Sequence, residues 1–137
     1  MDIAPLPEPL YPDAVALWRA VGLTRPWNDP GQDLRRAMRG PESVVLAALD
    51  GQHLLATAMV GHDGHRGWVY YLAVAPEQQG HGLGRRMLQA CQTWVRDRGV
   101  PKIQVMVRRG NDRVLDFYDH LGYESSDVTV LARRLDG

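Results

Sequence analysis

The stretch "LAVAPEQQGHGLGRRML", residues 72–88, decides the fold because the periodicity of the sequence changes within it. An apolar, strand-like run leads into three alternating glycines, and a helical pattern follows. The helix begins without a Ser, Thr, Asp or Asn cap, and its first turn carries Arg85 and Arg86, a charge that the helix dipole disfavours. These features predict a phosphate or pyrophosphate at the helix N terminus, where glycines give access to free backbone N–H groups. The alternative is a glycine turn followed by two solvated arginines.

The glycine spacing argues against two common nucleotide-binding loops. The dinucleotide-binding pattern G-x-G-x-x-G would require glycine at position 85, where this chain has Arg85. A Walker A loop would end in G-K-[ST], which is absent here. The loop therefore disfavours a dehydrogenase or a P-loop nucleotidase.

The elements predicted around this stretch alternate as in a mixed α/β sheet. Before it, the sequence predicts a short strand near Ile3, a helix in "YPDAVALWRAVG", a short helix capped by Asn28 or Asp29 and ending at Gly40, a hairpin around Asp50 and Gly51, and a strand in "WVYYLAVAP". After it come a helix that Gly99 and Pro101 end, a strand in "KIQVMVRR", a helix over 111–121, and one or two closing strands in "YESSDVTVLARRL".

Length and composition predict a single soluble domain over residues 1–137. The formal net charge is zero, so no overall field would attract nucleic acid or an anionic membrane. A single cysteine, Cys91, excludes an intramolecular disulfide, fits a reducing compartment and lies on the apolar face of its helix as inert core. No signal peptide or membrane-spanning run is found, so a cytoplasmic location is expected.

A second motif, "NDRVLDFYDHLGYE" at residues 111–124, combines with the glycine loop to point to a family. The loop resembles the acetyl-CoA signature Q/R-x-x-G-x-G/A of the GNAT superfamily of N-acetyltransferases, with Gln79, Gly82 and Gly84 in the matching places. The second motif resembles the family's segment in which an asparagine opens the last long helix and an aromatic-tyrosine pair precedes a Leu-Gly-aromatic turn. "RPWNDP" and "DGHRG" are similar to segments of the YpeA-like subgroup of bacterial GNAT proteins.

The resemblance implies an acyl-CoA N-acyltransferase fold, a mostly antiparallel sheet flanked by helices and splayed between the fourth and fifth strands. It also implies transfer of an acetyl group from acetyl-CoA to a primary amine of a small molecule or peptide, by direct attack in a ternary complex. Tyr118 would be the general acid that protonates the departing thiolate, and its alternative role is a core aromatic beside Phe117. Asn111 would hydrogen-bond the pantetheine or its nearby loop, and its alternative role is the N-cap of the last helix. The residues implied to bind the cofactor are Leu72, Ala73, Val74, Gln79, Gly80, His81, Gly82, Leu83, Gly84, Arg85, Asn111 and Tyr118.

The general base is not evident, because the predicted fourth and fifth strands carry no carboxylate, and Met106 stands where some protein-acetylating members have glutamate. A water chain ending at a backbone carbonyl, Tyr70, Asp29, Asp63 or His65 could take this role, or the amine could bind already neutral. The missing carboxylate leaves open a rival function, a non-catalytic module that binds acyl-CoA. A third hypothesis is that the protein has this fold but that its glycine loop binds another nucleotide.

The acceptor-binding residues expected from the sequence are Trp27, Asn28, Asp29, His65 and Tyr70. Trp27 and Asp29 offer an aromatic face and a carboxylate to a cation. Their alternative roles are a core lid for Trp27 and a helix cap for Asp29. The histidines of "HDGHRG" lie in a glycine-rich turn with no third ligand, so no metal is expected. Either a monomer or a homodimer fits the sequence.

Overall fold

The computed structural model describes residues 2–136 of the chain, which form five strands and four α-helices. The chain divides after Met106 into two compact units. The first contains β1 (Asp2–Pro5), α1 (Tyr11–Ala20), α2 (Pro30–Arg39), β2 (Ser43–Asp50), β3 (His53–His62), β4 (Gly67–Val74), α3 (Leu83–Asp97) and β5 (Ile103–Val105). The second contains α4 (Asp112–His120).

The sheet of the first unit has the strand order β1-β2-β3-β4-β5, with every pair antiparallel except the parallel pair β4 and β5. Pairing between β4 and β5 joins Gly67–Val69 to Ile103–Val105 and stops there, whereas β4 continues to Val74. β5 therefore ends opposite Val69, whereas β4 continues beyond it. The expected mixed sheet is confirmed.

One face of the sheet packs against α1 and α2. Both helices are amphipathic, and their apolar residues form a core with alternate residues of β2 and β4. The buried members of this core are Leu6, Leu10, Ala14, Leu17, Trp18, Leu34, Ala37, Val45, Ala47, Ala73 and Ala75.

The opposite face packs against α3, which contacts β2, β3 and β4. Its buried side chains are Leu83, Met87, Leu88, Cys91 and Val95. The approach to β4 is close: a Cβ added to Gly67 would lie 2.6 Å from Cγ2 of Val95. Glycine at position 67 therefore sets how near α3 can come to the sheet.

Two local signals in the sequence give the structures expected of them. The Asp29 carboxylate accepts a hydrogen bond from the Gln32 N–H at 3.1 Å, so this residue is the N-cap of α2. Asp50 pairs with His53 across the hairpin turn, where Gly51 has a φ of 60°.

The end of the chain differs from the prediction. In the described part of the second unit, residues 124–136 form no strand, so the expected closing strands are wrong. The segment alternates apolar residues but buries none of them, and Leu131 is 90% exposed. A strand needs both a hydrogen-bonded neighbour and a buried face, and β propensity supplies neither. The strand expected in "KIQVMVRR" also exists only over Ile103–Val105.

Candidate active site

The end of β4 presents backbone groups along the edge that extends beyond the pairing with β5. The Ala75 N–H donates to the Leu55 carbonyl on β3 at 2.9 Å. Because successive residues of an extended strand direct their backbone groups to opposite sides, the N–H groups of Val74 and Leu72 point to the other edge. Across residues 2–136, no strand pairs with that edge beyond Val69. We call residues 70–74 of this edge the open edge of β4.

A bulge interrupts β4 at the beginning of the open edge. Between β3 and β4 the register shifts: Met59 lies opposite Tyr70, whereas Thr57 lies opposite Ala73. Tyr71, inside this interval, has a φ of 51°, and among the described residues it is the sole non-glycine residue with positive φ. A bulky residue in this conformation is held there by its surroundings.

Three residues surround Tyr71, and we call Trp18, Thr57 and Asp33 the Tyr71 clamp. The Tyr71 ring stacks on Trp18 with centroids 3.9 Å apart. The Thr57 hydroxyl donates to the Tyr71 carbonyl at 3.0 Å and accepts from the Trp18 indole N–H at 2.8 Å. The Tyr71 phenol donates to the Asp33 carboxylate at 2.8 Å. The indole N–H, the hydroxyl and the carboxylate of the clamp are therefore all hydrogen-bonded.

Sequence reasoning missed the Tyr71 clamp. The adjacent tyrosines in "WVYYLAV" break the alternation of a regular strand, and Thr57 is a polar residue within an apolar run. Both signals indicate an irregularity, but neither identifies its partners. Trp18 and Asp33 come from different helices, so only the packed structure brings them to Tyr71.

The N terminus of α3 has the form that the glycine loop predicts. Gly80 and Gly82 have φ values of 85° and 77°, and Gly82 is the N-cap. Within the described chain, no side chain caps this helix, and its first turn holds no acidic residue. The Gln79 side-chain amide donates to the Val74 carbonyl at 3.1 Å. This hydrogen bond connects the loop directly to the open edge of β4.

The turn "HDGHRG" between β3 and β4 is organised by Asp63. Its carboxylate accepts from the backbone N–H groups of Arg66 at 2.8 Å and His65 at 2.9 Å. These two bonds, the Arg66 bond foremost, lower the pKa of Asp63 below its ordinary value. Asp63 is thus a structural carboxylate that stays ionised, while the His65 side chain remains exposed.

The other residues expected to bind the acceptor lie at the surface of the first unit. Trp27 is 55% exposed, so its alternative role as a core lid is wrong. Tyr70, on β4, is 42% exposed. Its partial burial and, to a smaller extent, the negative charge of Asp63 raise its pKa. Asn28 and Asp29 are exposed, and Asp29 caps α2 in the way described above.

In the second unit, Asn111 and Tyr118 occupy well-defined places. The Asn111 side chain accepts from the Val114 N–H at 3.4 Å and is the N-cap of α4. Tyr118 is 9% exposed, and its ring lies 5.1 Å from that of Phe117 and 5.4 Å from that of Tyr123, between centroids. The capping role expected for Asn111 is confirmed. The rings of Phe117 and Tyr123 give Tyr118 an aromatic environment.

Two features are absent from residues 2–136. No group of three or more His, Cys, Asp or Glu side chains is arranged to hold a metal ion. None of the helices there combines the length and hydropathy needed to cross a bilayer.

Solved structures with the same fold include enzymes of amine acetylation. AAC(6')-Iy, in complex with the bisubstrate analogue CoA-S-monomethyl-acetylneamine, shares 14% identity over 97% of each chain at a TM-score of 0.80. The aminoglycoside 6'-N-acetyltransferase AAC(6')-IG from Acinetobacter haemolyticus shares 15% identity over 99% of this chain and all of the other, at 0.78. The ribosomal-protein-S18-alanine N-acetyltransferase from Escherichia coli shares 20% identity over 91% of this chain and 78% of its own, at 0.76.

The profile of the acetyltransferase (GNAT) family matches residues 10–123, which include the glycine loop and the helix that carries Tyr118. This match extends over most of the chain. The protein therefore belongs to the acetyltransferase (GNAT) family.

Proposed function

We propose that this acetyltransferase transfers the acetyl group of acetyl-CoA to a primary amine of a small molecule or peptide, by direct attack in a ternary complex. One observation carries the proposal: an uncapped, glycine-rich helix N terminus is hydrogen-bonded to the open edge of β4 through Gln79. An anion site beside the open edge of β4 suits a ligand that joins a pyrophosphate to an amide-containing arm. The family match over residues 10–123 also supports treating residues 1–137 as one acetyltransferase domain.

The residues of the first unit fit the donor. On the open edge, the N–H groups of Leu72 and Val74 donate to the pantetheine arm, and their side chains are free to vary. The backbone N–H groups of the glycine loop, residues 79–84, receive the pyrophosphate, since the positive end of the helix dipole stabilises an anion. Arg85, exposed in the first turn, adds a compensating charge.

In the chemical step, acetyl-CoA supplies a thioester carbonyl that an amine can attack. The new C–N bond forms as the C–S bond breaks, and the electron pair of the broken bond remains on sulfur. Tyr118 donates its phenolic proton to that sulfur as general acid. Asn111, besides capping α4, hydrogen-bonds the pantetheine arm or its loop.

A protonated amine must lose a proton before its nitrogen can attack, and the structure disfavours two of the candidate acceptors for that proton. Tyr70 has a raised pKa and stays a neutral phenol near pH 7, while Asp63 has a lowered pKa and is a weak base. Asp29 and His65 remain, together with a water chain to a backbone carbonyl. Proximity of the bound reactants then supplies much of the rate.

The acceptor is best sought among amines that proteins of the same fold acetylate. The names of two such proteins specify an aminoglycoside and an alanine of a ribosomal protein. Trp27 and Asp29, both exposed and separated by one residue, offer an aromatic face and a carboxylate to a cationic acceptor. The segments "RPWNDP" and "DGHRG" favour a place in the YpeA-like subgroup.

A thiol-release assay with acetyl-CoA and a panel of amines tests the function. The panel holds aminoglycosides, polyamines, amino acids and peptides with a free N terminus. Cys91 is buried, so the folded enzyme adds little thiol background. Tyr118→Phe is expected to lose most turnover and keep its affinity for acetyl-CoA, with Tyr11→Phe as the matched control. Binding of acetyl-CoA with no release from any amine would favour the non-catalytic module instead.

A pair of isosteric variants tests the anion site by itself. Asn and Asp both tolerate the positive φ of Gly82, and Asp differs mainly by its charge. Gly82→Asp is expected to be at least as stable as Gly82→Asn, because a carboxylate favours a helix N terminus, yet to bind acetyl-CoA more weakly. Equal affinities of the two variants would place the pyrophosphate elsewhere.

A further inference from the structure

We infer that Tyr71 is a positioning residue for the donor: the Tyr71 clamp holds it in the left-handed conformation and so fixes which backbone groups of β4 face the open edge. The inference rests on the proposed use of acetyl-CoA. Tyr71 and the clamp residues Trp18, Thr57 and Asp33 lie outside the donor and acceptor residues given above.

The register of the sheet shows what the bulge changes. Val69 lies opposite Val60 and Tyr70 opposite Met59, so a regular strand would bring Ala73 opposite Ala56. Instead Val74 occupies that position. A shift of one residue exchanges the two edges of a strand, just as it exchanges the two faces. Without the bulge, the N–H of Ala73, and not that of Val74, would point to the open edge.

The bulge depends on side chains that come from three other elements. Trp18 belongs to α1, Thr57 to β3 and Asp33 to α2. Trp18 and Thr57 are fully buried, so their hydrogen bonds are shielded from competing water. The clamp thus fixes Tyr71 from its ring, its carbonyl and its phenol at once.

The phenol bond also persists over the pH range in which the enzyme would work. Burial, followed by the hydrogen bond to Asp33, raises the pKa of Tyr71, so its hydroxyl remains a donor. Asp33 is itself bound by Arg36 at 2.8 Å. The phenol therefore ties the beginning of α2, directly after the Trp27 and Asp29 loop, to the conformation of β4.

The test compares variants that break or keep the phenol bond. Tyr71→Phe keeps the stacked ring and loses the donor, Asp33→Ala loses the acceptor, and Asp33→Asn retains an oxygen that accepts. We expect the first two to raise the Kd and KM for acetyl-CoA about 5- to 10-fold, the equivalent of one hydrogen bond, with kcat changed less. Asp33→Asn and the control Tyr11→Phe should remain near wild type.

Hydrogen exchange separates positioning from general loss of stability. In Tyr71→Phe, the amides of Ala73 and Ala75 on the β3 side should exchange faster, whereas those of α3 should not. Val95→Ala, on the opposite face of the sheet, serves as a destabilised control. The same Kd increase in Val95→Ala at a matched loss of Tm would overturn the inference.

The two proposals fail in different ways. If wild type binds acetyl-CoA and Tyr71→Phe binds it equally well, the positioning role is wrong and the proposed function stands. If wild type shows neither calorimetric binding of acetyl-CoA nor thiol release, the proposed function is wrong, and the role of Tyr71 in positioning the donor falls with it.

Discussion

The buried hydroxyl of Thr57 gives a quantitative test of the core. It accepts the Trp18 indole N–H at 2.8 Å and donates to the Tyr71 carbonyl at 3.0 Å, and Thr57 has no exposed surface. Thr57→Val preserves the shape of the side chain but removes both bonds. The variant leaves a buried N–H without a partner, which costs about 1–3 kcal/mol, and loses a second bond of about 0.5–1.5 kcal/mol. We expect a total loss of about 2–4 kcal/mol in the free energy of unfolding.

Thr57→Ser is the matched control, because it keeps the hydroxyl and deletes one methyl group, at a cost of about 1 kcal/mol. Urea unfolding followed by circular dichroism and tryptophan fluorescence measures both variants. With a slope of about 1–3 kcal/mol/M, Thr57→Val should lower the midpoint by roughly 1–2 M, and Thr57→Ser by less. If the valine variant equals or exceeds the serine variant in stability, the hydroxyl does not satisfy the indole as described.

Three further outcomes are expected. A Cβ on Gly67 would meet Val95 at 2.6 Å, so Gly67→Ala should lower the free energy of unfolding by about 1–3 kcal/mol. Val95→Ala in the same chain should recover part of this loss, and additive losses would contradict the contact. Asp29→Ala should lower stability by about 1 kcal/mol in thermal unfolding, whereas Asp29→Asn keeps the cap. Equal losses of stability in the two variants would show that Asp29 does not stabilise α2 as its N-cap. Burial raises the pKa of Cys91 from 9.0 to about 12, so the folded state retains a proton that the unfolded state releases. Stability should therefore fall as pH rises from about 9 towards 12, and it should fall less steeply in Cys91→Ala. Rapid thiol labelling of the native protein at pH 8 would show that Cys91 is not buried.

Much of the fold was predictable because its signals are local. The Asp29 cap, the hairpin at Gly51 and the apolar face of α3 each depend on residues close together in sequence. The closing strands failed for the converse reason: residues 124–136 have the alternation of a strand, but alternation does not supply a neighbouring strand.

The candidate site divides in the same way. The sequence of the glycine loop was enough to predict an uncapped helix N terminus suited to an anion, since Gly80 and Gly82 determine the backbone there. The identity of the residues around Tyr71 was not predictable, because Trp18 and Asp33 lie on separate helices far from it in sequence. The raised pKa of Tyr70, which keeps it protonated, and the lowered pKa of Asp63 also follow from burial and hydrogen bonds that a sequence does not display.

The sequence by itself therefore determined the order of the elements as far as α4, the family and the uncapped glycine loop, all of which depend on short-range patterns. The tertiary structure alone decided where the pairing of β4 with β5 ends and where the bulge at Tyr71 falls. The physical reason is that strand register and side-chain burial arise from contacts between distant segments, and these exist only once the sheet and helices have packed.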